Sequence, residues 1–155
     1  MDQIDMTPED IIKILKDKDF ENALKFVQIG SLLNCKPAIR YATAHKTWKC
    51  VYSKRKPKRV LFTIECNENK WSIKANLFHI NQYKEFVESC SNNIKHGIKS
   101  AYDCKMCSSR CKGGAQFTMD DQQFMKCIGC CFYFRNMPDE DWNCVRSLIE
   151  MESNY

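Results

Sequence analysis

The pattern of apolar positions changes its period near residue 37 of the chain. Before that point, apolar residues recur at helical spacing, first behind a capping Thr7 and Pro8 and then behind Asp19. This pattern predicts two helices within residues 1–35, the second of which is capped by Asp19 and ends near Gly30. We expect these helices to form a covering layer.

Strand-like runs follow in residues 36–103. Four short segments rich in aromatic and β-branched residues are separated by a basic turn and by a polar turn. They are 39–42, 48–52, 60–64 and 71–75. The runs predict an antiparallel meander, and the alternation of apolar and polar residues along 71–75 predicts that one sheet face packs on helices and the other is wetter.

Helical spacing returns over about residues 80–101, and an acidic first turn after Pro138 predicts a last helix over 138–152. The sequence therefore predicts an α+β fold, with an antiparallel meander of about four to six strands packed by N-terminal, central and C-terminal helices. A cysteine-rich, metal-binding knuckle and hairpin is predicted over 104–135. We expect residues 1–155 to form a single domain.

The order of these elements resembles the small uncharacterised bacterial α+β domains related to the YdhG-type proteins. The resemblance covers about two thirds of the chain, and it is carried by Tyr41, Trp48, Tyr52, the strands 61–66 and 71–77 and the helix 139–149. It implies a twisted antiparallel sheet backed by helices, and some of those domains are described as iron chaperones. The cysteine-rich stretch 104–131 is an insertion where those domains have a plain strand.

Composition places the chain among folded proteins and suggests a reducing compartment. Hydrophobic residues make up 44% of the 155 residues and aromatic residues 12%, which argues against disorder. The acidic start lacks the features of a secretory signal, and no apolar run reaches the ~18 residues of a membrane span. A cytoplasmic location without a membrane partner is therefore expected, and the eleven cysteines suggest metal or redox chemistry rather than disulfides.

Six of the eleven cysteines are clustered in the spacing of a four-thiolate metal site. Two Cys-x-x-Cys pairs are separated by nineteen residues, and each pair supplies two converging ligands from one tight turn. The predicted ligands are Cys104, Cys107, Cys127 and Cys130, with Cys111 and Cys131 as alternates. The remaining five cysteines, Cys35, Cys50, Cys66, Cys90 and Cys144, lie among apolar positions and are predicted core residues.

A hairpin is predicted between the two halves of this cluster. The segment has two strand-like runs around Asp120 and Asp121, which suit a two-residue turn. With that turn, antiparallel register sets Gly114 opposite Cys127 and Cys111 opposite Cys130. The hairpin would therefore bring the two halves of the ligand set together.

Four like ligands close the coordination sphere, and this favours a structural metal over a catalytic one. Zinc is the predicted metal, and an iron–sulfur cluster is the alternative. An iron–sulfur cluster, or the spare thiols of Cys111 and Cys131, would make this a redox or metal-handling protein. No hydrolase, phosphate-loop, metalloprotease or deaminase motif is present, and the three histidines stand alone. We predict a zinc-binding module and favour binding over enzymatic catalysis.

The partner of such a module is not specified by any sharp motif. The basic run Lys54, Arg55, Lys56, Lys58 and Arg59 suits either a solvated hairpin tip or a nucleic-acid contact, with Trp48 and Tyr52 nearby for base stacking. A small-molecule pocket is the other prediction. Its lining would be Tyr41, Trp48, Phe62 and Trp71. A protein ligand stays open as well.

Overall fold

The computed structural model describes residues 5–111, 113–127 and 132–155. Its helices are α1 (Pro8–Ile12), α2 (Asp17–Leu32), α3 (Lys84–Ser89), α4 (Asn92–Lys99) and α5 (Asp139–Glu152), and a 3₁₀ helix spans Ile80–Tyr83. Its strands are β1 (Lys36–Ala42), β2 (Thr47–Arg55), β3 (Lys58–Cys66), β4 (Trp71–Ala75), β5 (Ala115–Met119), β6 (Gln122–Lys126) and β7 (Phe132–Phe134). The predicted α+β class is confirmed. The chain divides into two compact units, Met1–Ile73 and Lys74–Tyr155.

The predicted meander is confirmed as the body of the main sheet. The strand order is β1-β2-β3-β4-β7, and β5 and β6 form a separate two-stranded sheet. Strands β1 and β2 pair antiparallel, with Tyr41 opposite Trp48, and β2 pairs antiparallel with β3. The short strand β7 was not foreseen, because a run of three residues carries too little pattern to predict a strand.

The first unit begins with the two predicted helices, but α2 does not begin where the sequence suggested. A capping box marks the N-terminus of α1: the Thr7 hydroxyl accepts a hydrogen bond from the Asp10 amide, and the Asp10 carboxylate accepts one from the Thr7 amide. Helix α2 has Lys16 as its N-cap. Asp19 lies inside the helix and accepts a hydrogen bond from the Trp71 indole nitrogen at 3.1 Å. The capping role predicted for Asp19 is therefore wrong.

Helix α2 ends near Gly30, as predicted, although its last residue is Leu32 and Gly30 is buried within the helix. A Cβ at this position would lie 2.3 Å from Cε1 of Tyr52, which is closer than any side chain tolerates. Glycine here lets the Tyr52 ring lie directly against the helix backbone.

Aromatic contacts form the core of the first unit. The Tyr52 ring stacks on Phe62 with centroids 4.6 Å apart, and Phe26 of α2 lies 6.3 Å from Phe62 and 6.2 Å from Trp71. Strand β3 is buried along all of Leu61–Cys66, and Ser72 of β4 is also buried. The predicted wetter face is thus wrong at these positions, where both sets of alternating side chains are covered.

The second unit contains the central and C-terminal helices. The helical pattern predicted over residues 80–101 is broken into the 3₁₀ helix, α3 and α4. The break lies at Cys90, whose ψ of 160° is extended, and Ser91 then caps α4 by accepting from the Ile94 amide. Helix α5 begins with three acidic residues, as predicted. Among the described residues, none of the helices has the length and apolar character needed to cross a membrane.

Candidate functional site

The predicted hairpin between the halves of the cysteine cluster is confirmed over residues 115–126, while the predicted pairing of Cys111 with Cys130 reaches outside the described residues. Strands β5 and β6 pair from Ala115 opposite Lys126 to Met119 opposite Gln122. Asp120 and Asp121 form the turn, with φ values of 50° and 63°. These left-handed values belong to a type I′ turn, which Asp tolerates better than most residues.

Backbone pairing also brings Cys104 next to Cys127. An isolated antiparallel bridge joins Asp103 to Lys126. The Cys104 amide donates to the Met125 carbonyl at 2.8 Å, and the Cys127 amide donates to the Tyr102 carbonyl at 2.7 Å. In this register, Cys104 and Cys127 are diagonal neighbours on the same face of the ladder. Diagonal neighbours lie about 7–8 Å apart at Cα, within reach of two cysteine side chains that converge on one ion.

Gly114 passes close to the same cysteine. A Cβ at Gly114 would lie 2.3 Å from the Lys126 carbonyl oxygen and 2.8 Å from the Cys104 Cβ. The segment that leads from Cys111 into β5 therefore runs tightly past Cys104. Three stretches of chain meet here, and only glycine leaves room for the third.

Within the first Cys-x-x-Cys pair, one residue has a left-handed backbone conformation. Met106, between Cys104 and Cys107, has a φ of 49°, a left-handed conformation that is uncommon for a residue other than glycine. A turn follows, in which the Cys111 amide donates to the Ser108 carbonyl at 3.1 Å. Cys107 is exposed, and Cys104, Cys111 and Cys127 are half-buried. Their thiols are thus more accessible than those of most cysteines elsewhere in the chain.

The complete four-thiolate set is not seen. Within residues 5–111, 113–127 and 132–155, no group of three or more Cys, His, Asp or Glu side chains is close enough to hold a metal ion. Cys130 and Cys131, one predicted ligand and one alternate, lie outside the described residues. Of the predicted ligands that are described, Cys104 and Cys127 are the pair that backbone hydrogen bonds bring together.

A buried lysine supports the pairing of Cys104 with Cys127 from the opposite face. Lys126 is 4% exposed, and its ammonium donates to the carbonyls of Lys99 and Ala101 and to the Asp103 carboxylate at 2.8, 3.0 and 2.9 Å. The two carbonyls lie at the C-terminal end of α4, where a cation is favoured. Lys126 therefore fixes this strand end against the helix that precedes the cluster.

The cysteines outside the cluster are mostly core residues, as predicted. Cys35, Cys50, Cys66 and Cys90 are buried, while Cys144 is half-buried. Burial raises the pKa of the Cys50 thiol to about 11 and that of Cys66 to about 12. These thiols stay protonated and unreactive near neutral pH. Cys90 and Cys144 are a special case, because their sulfur atoms are in contact.

The basic run forms the tip of the β2–β3 hairpin in the first unit. Lys54 lies opposite Arg59 and Arg55 lies opposite Lys58, so like charges face each other across the tip. Residues 55–58 are exposed. The Arg55 Nε donates to the Asn34 carbonyl at 3.1 Å. The hairpin tip therefore presents a cluster of positive charges to solvent.

A surface cleft of about 660 Å³ lies at the other end of β2 in the same unit. Its aromatic lining is Tyr41 and Trp48, whose ring centroids are 4.9 Å apart. The polar lining comes from the two turns at this end, residues 45–46 and 67–70. Phe62 and Trp71, which the sequence placed in a common pocket with Tyr41 and Trp48, are buried in the core. Tyr52, the other predicted stacking residue, is also buried at 2% exposure.

Sequence reasoning missed a polar cluster around the end of α5. Glu152 is fully buried, and its carboxylate accepts from the His79 amide at 2.7 Å and from the Tyr83 hydroxyl at 2.9 Å. The His79 Nδ1 lies 2.8 Å from the other carboxylate oxygen. His79 thus has a polar partner that its neighbours in the sequence do not indicate. No local signal marks this cluster, because Glu152 is 73 residues from His79 and 69 from Tyr83.

Comparisons with protein-family models, with curated proteins and with solved structures found no significant match to this chain.

Proposed function

We propose that this chain is a non-enzymatic binding protein whose cysteine-rich hairpin is held together by a structural zinc ion. The observation that carries the proposal is the pairing of residues 102–104 with the end of β6, which sets Cys104 and Cys127 on one face. Each of these residues opens a Cys-x-x-Cys pair. The ligands would be Cys104, Cys107, Cys127 and Cys130, of which Cys130 lies outside the described residues.

The chemistry of the cluster fits zinc. Thiolates are its preferred structural ligands, and four of them leave no open position for a reactive water. The exposure of Cys107 and the partial exposure of Cys104 and Cys127 also distinguish these residues from the buried thiols of the core. Four thiolates around a divalent ion carry a net negative charge, and exposed Lys105 and Arg110 lie in the same segment to offset it. Bound zinc would crosslink the strand ends that carry the cysteines.

Metal content and stability of matched variants test this proposal. Protein purified without oxygen and without added metal should contain about one zinc per chain and show no visible absorbance. Cys104→Ser should lose the metal and melt at a lower temperature. Cys35→Ser is the matched control, because it removes a buried thiol in the other unit and should keep the metal.

Two outcomes would overturn the zinc proposal. Unchanged metal content and melting temperature in Cys104→Ser would remove the cluster as its site. Iron and sulfide with a visible band near ~400 nm would favour an iron–sulfur cluster, and with it the redox or metal-handling alternative. The iron handling implied by the resemblance to YdhG-type domains stays a prediction, and the same metal analysis tests it.

A second candidate function is nucleic-acid binding by the first unit, and the distribution of charge favours it. Residues 1–73 contain 14 Lys and Arg against 9 Asp and Glu, whereas residues 74–155 contain ten of each. The whole positive excess therefore belongs to one unit. A single strand would be held by its phosphates at the tip formed by Lys54 to Arg59.

The stacking surface in this second proposal is the exposed aromatic pair of the cleft. Trp48 is half-buried and Tyr41 is 45% exposed. Arg55 lies seven residue steps along the strand from Trp48, which is about 23 Å at 3.3 Å per step. That distance suits several nucleotides of an extended strand. Base stacking on such rings contributes about 1–3 kcal/mol per base.

Fluorescence anisotropy with a labelled single-stranded oligonucleotide tests the nucleic-acid proposal. Affinity should fall linearly with salt on logarithmic axes, and Lys56→Glu should reduce that slope by about one. Trp48→Ala should weaken binding with little change in slope. Lys84→Glu, an exposed charge reversal in the second unit, should have a much smaller effect. Absence of binding at low salt would reject this candidate.

A further inference from the structure

Two cysteines that are far apart in sequence meet inside the second unit. The sulfur atoms of Cys90 and Cys144 lie 2.8 Å apart, although 54 positions separate the residues. Cys90 follows the last residue of α3, and Cys144 lies in α5. Both residues are free thiols in the structure. Neither belongs to the cysteine cluster of the predicted metal site.

The neighbouring hydrogen bonds hold this pair in place. Ser91 donates to one oxygen of Asp141 at 2.8 Å, and Asn93 donates to the other at 3.1 Å. Asp141 is three positions before Cys144 in α5, so the two residues share one face of that helix. The junction between α3 and α4 is thereby attached to the first turns of α5. This attachment fixes Cys90 directly against Cys144.

We propose that Cys90 and Cys144 are a reversible dithiol–disulfide pair that is oxidised by a peroxide. Bonded sulfur atoms lie about 2.05 Å apart, so the two sulfurs need to approach by less than about 1 Å. The attachment through Asp141 means that neither helix has to unfold for this approach.

The reaction balances with hydrogen peroxide as the oxidant. The Cys144 thiolate attacks one peroxide oxygen, so that an S–O bond forms, the O–O bond breaks and the leaving hydroxide takes a proton to become water. The Cys90 sulfur then attacks the Cys144 sulfur, which forms the S–S bond, breaks the S–O bond and releases a second water with the Cys90 proton. Two thiols lose two electrons, and one peroxide gains them.

Its greater exposure assigns the attacking role to Cys144, and the contact between the two sulfurs favours its thiolate. Cys144 is half-buried, whereas Cys90 is 9% exposed. The two sulfur atoms share a hydrogen bond in which either can be the donor, and this contact lowers the pKa of Cys144. The same contact, together with burial, raises the pKa of Cys90. Cys144 therefore supplies the thiolate and Cys90 the resolving thiol.

Tryptic peptide mapping gives a direct test, because each residue falls in a peptide with a single cysteine. Cleavage after Lys84 and Lys95 yields peptide 85–95 with Cys90, and cleavage after Arg135 and Arg146 yields peptide 136–146 with Cys144. The full-length reduced protein is treated with hydrogen peroxide, its remaining thiols are alkylated, and the digest is analysed without reductant. We expect the two peptides linked through a disulfide, and we expect dithiothreitol to separate them.

Variants make the outcome decisive. Cys35→Ser should keep the linked peptides, because it leaves the pair intact. In Cys144→Ser, peptide 85–95 should be recovered with an alkylated Cys90. If wild-type peroxide treatment oxidises other cysteines while Cys90 and Cys144 are both recovered alkylated, the proposal is overturned. Linkage of either residue mainly to another cysteine would overturn it as well. The wild-type measurement needs no variant, so poor folding of Cys144→Ser would not prevent the test.

Discussion

Replacing Gly114 by alanine tests whether three stretches of chain meet at the candidate metal site. The new Cβ would lie 2.3 Å from the Lys126 carbonyl oxygen, 2.8 Å from the Cys104 Cβ and 3.0 Å from the Lys126 carbonyl carbon. All three are backbone or Cβ atoms, so no change of rotamer relieves the overlap. The effect of the substitution should therefore be steric.

The size of the effect follows from these distances. Carbon and oxygen atoms in contact are usually at least about 3.3 Å apart, so the Lys126 carbonyl must move by about 1 Å. Overpacking of this kind costs about 1–3 kcal/mol, and rigid obstacles place the cost near the upper value. For a chain of this length, about 3 kcal/mol lowers the melting temperature by about 6–12 °C. Because the displaced strand carries Cys104 or Cys127, zinc affinity should fall by about tenfold or more.

Thermal unfolding followed by circular dichroism measures the stability, and competition with a chromophoric chelator measures the zinc affinity. Gly113→Ala is the control. Its Cβ would meet no atom closer than the Met125 Cε at 4.0 Å, although its φ of 87° strains a side chain. We expect this control to lose about 1 kcal/mol of stability and to keep its zinc affinity. If Gly114→Ala keeps the melting temperature and the zinc affinity of the wild type, the three stretches of chain do not meet at Gly114.

Three further predictions concern buried polar groups and thiols. Lys126→Met removes a buried ammonium that donates to three oxygen atoms. The free energy of unfolding, measured with urea, should fall by about 2–3 kcal/mol. An unchanged unfolding midpoint would contradict the role of Lys126 in fixing the strand end. Cys50, whose pKa burial raises to about 11, should resist iodoacetamide at pH ~8, because the reactive thiolate forms only at higher pH. Exposed Cys107 should react under these conditions in metal-free protein. Equal alkylation rates for Cys50 and Cys107 would argue against the burial of Cys50. Glu152→Gln replaces a carboxylate oxygen that accepts hydrogen bonds by an amide group that donates them, next to His79. The free energy of unfolding should fall by about 2–3 kcal/mol in the same assay. An unchanged stability would contradict the buried cluster.

Local patterns were sufficient to predict most secondary structure. The capping box at Thr7 and the type I′ turn at Asp120 and Asp121 each depend on residues within four positions of one another. The four strands of the meander followed from alternating apolar residues and turn signals. Such features form through short-range hydrogen bonds and steric preferences, which is why sequence predicts them well.

Packing explains where the local pattern misled. Gly30 suggested only the end of α2, whereas in the fold it is buried within the helix and the Tyr52 ring occupies the space that a side chain would fill. Ser72 alternates with apolar residues, yet it is buried. In both cases the packing of the folded chain decided the environment, and no periodicity contains that information.

The candidate sites divide in the same way between sequence and tertiary structure. The sequence by itself determined the spacing of the two Cys-x-x-Cys pairs, the hairpin between them and the basic tip, because each depends on residues close along the chain. Only the tertiary structure decided that Cys104 pairs beside Cys127, that Cys90 contacts Cys144 and that Glu152 binds His79. The last two contacts depend on where α5 docks, which side-chain packing over the whole unit determines.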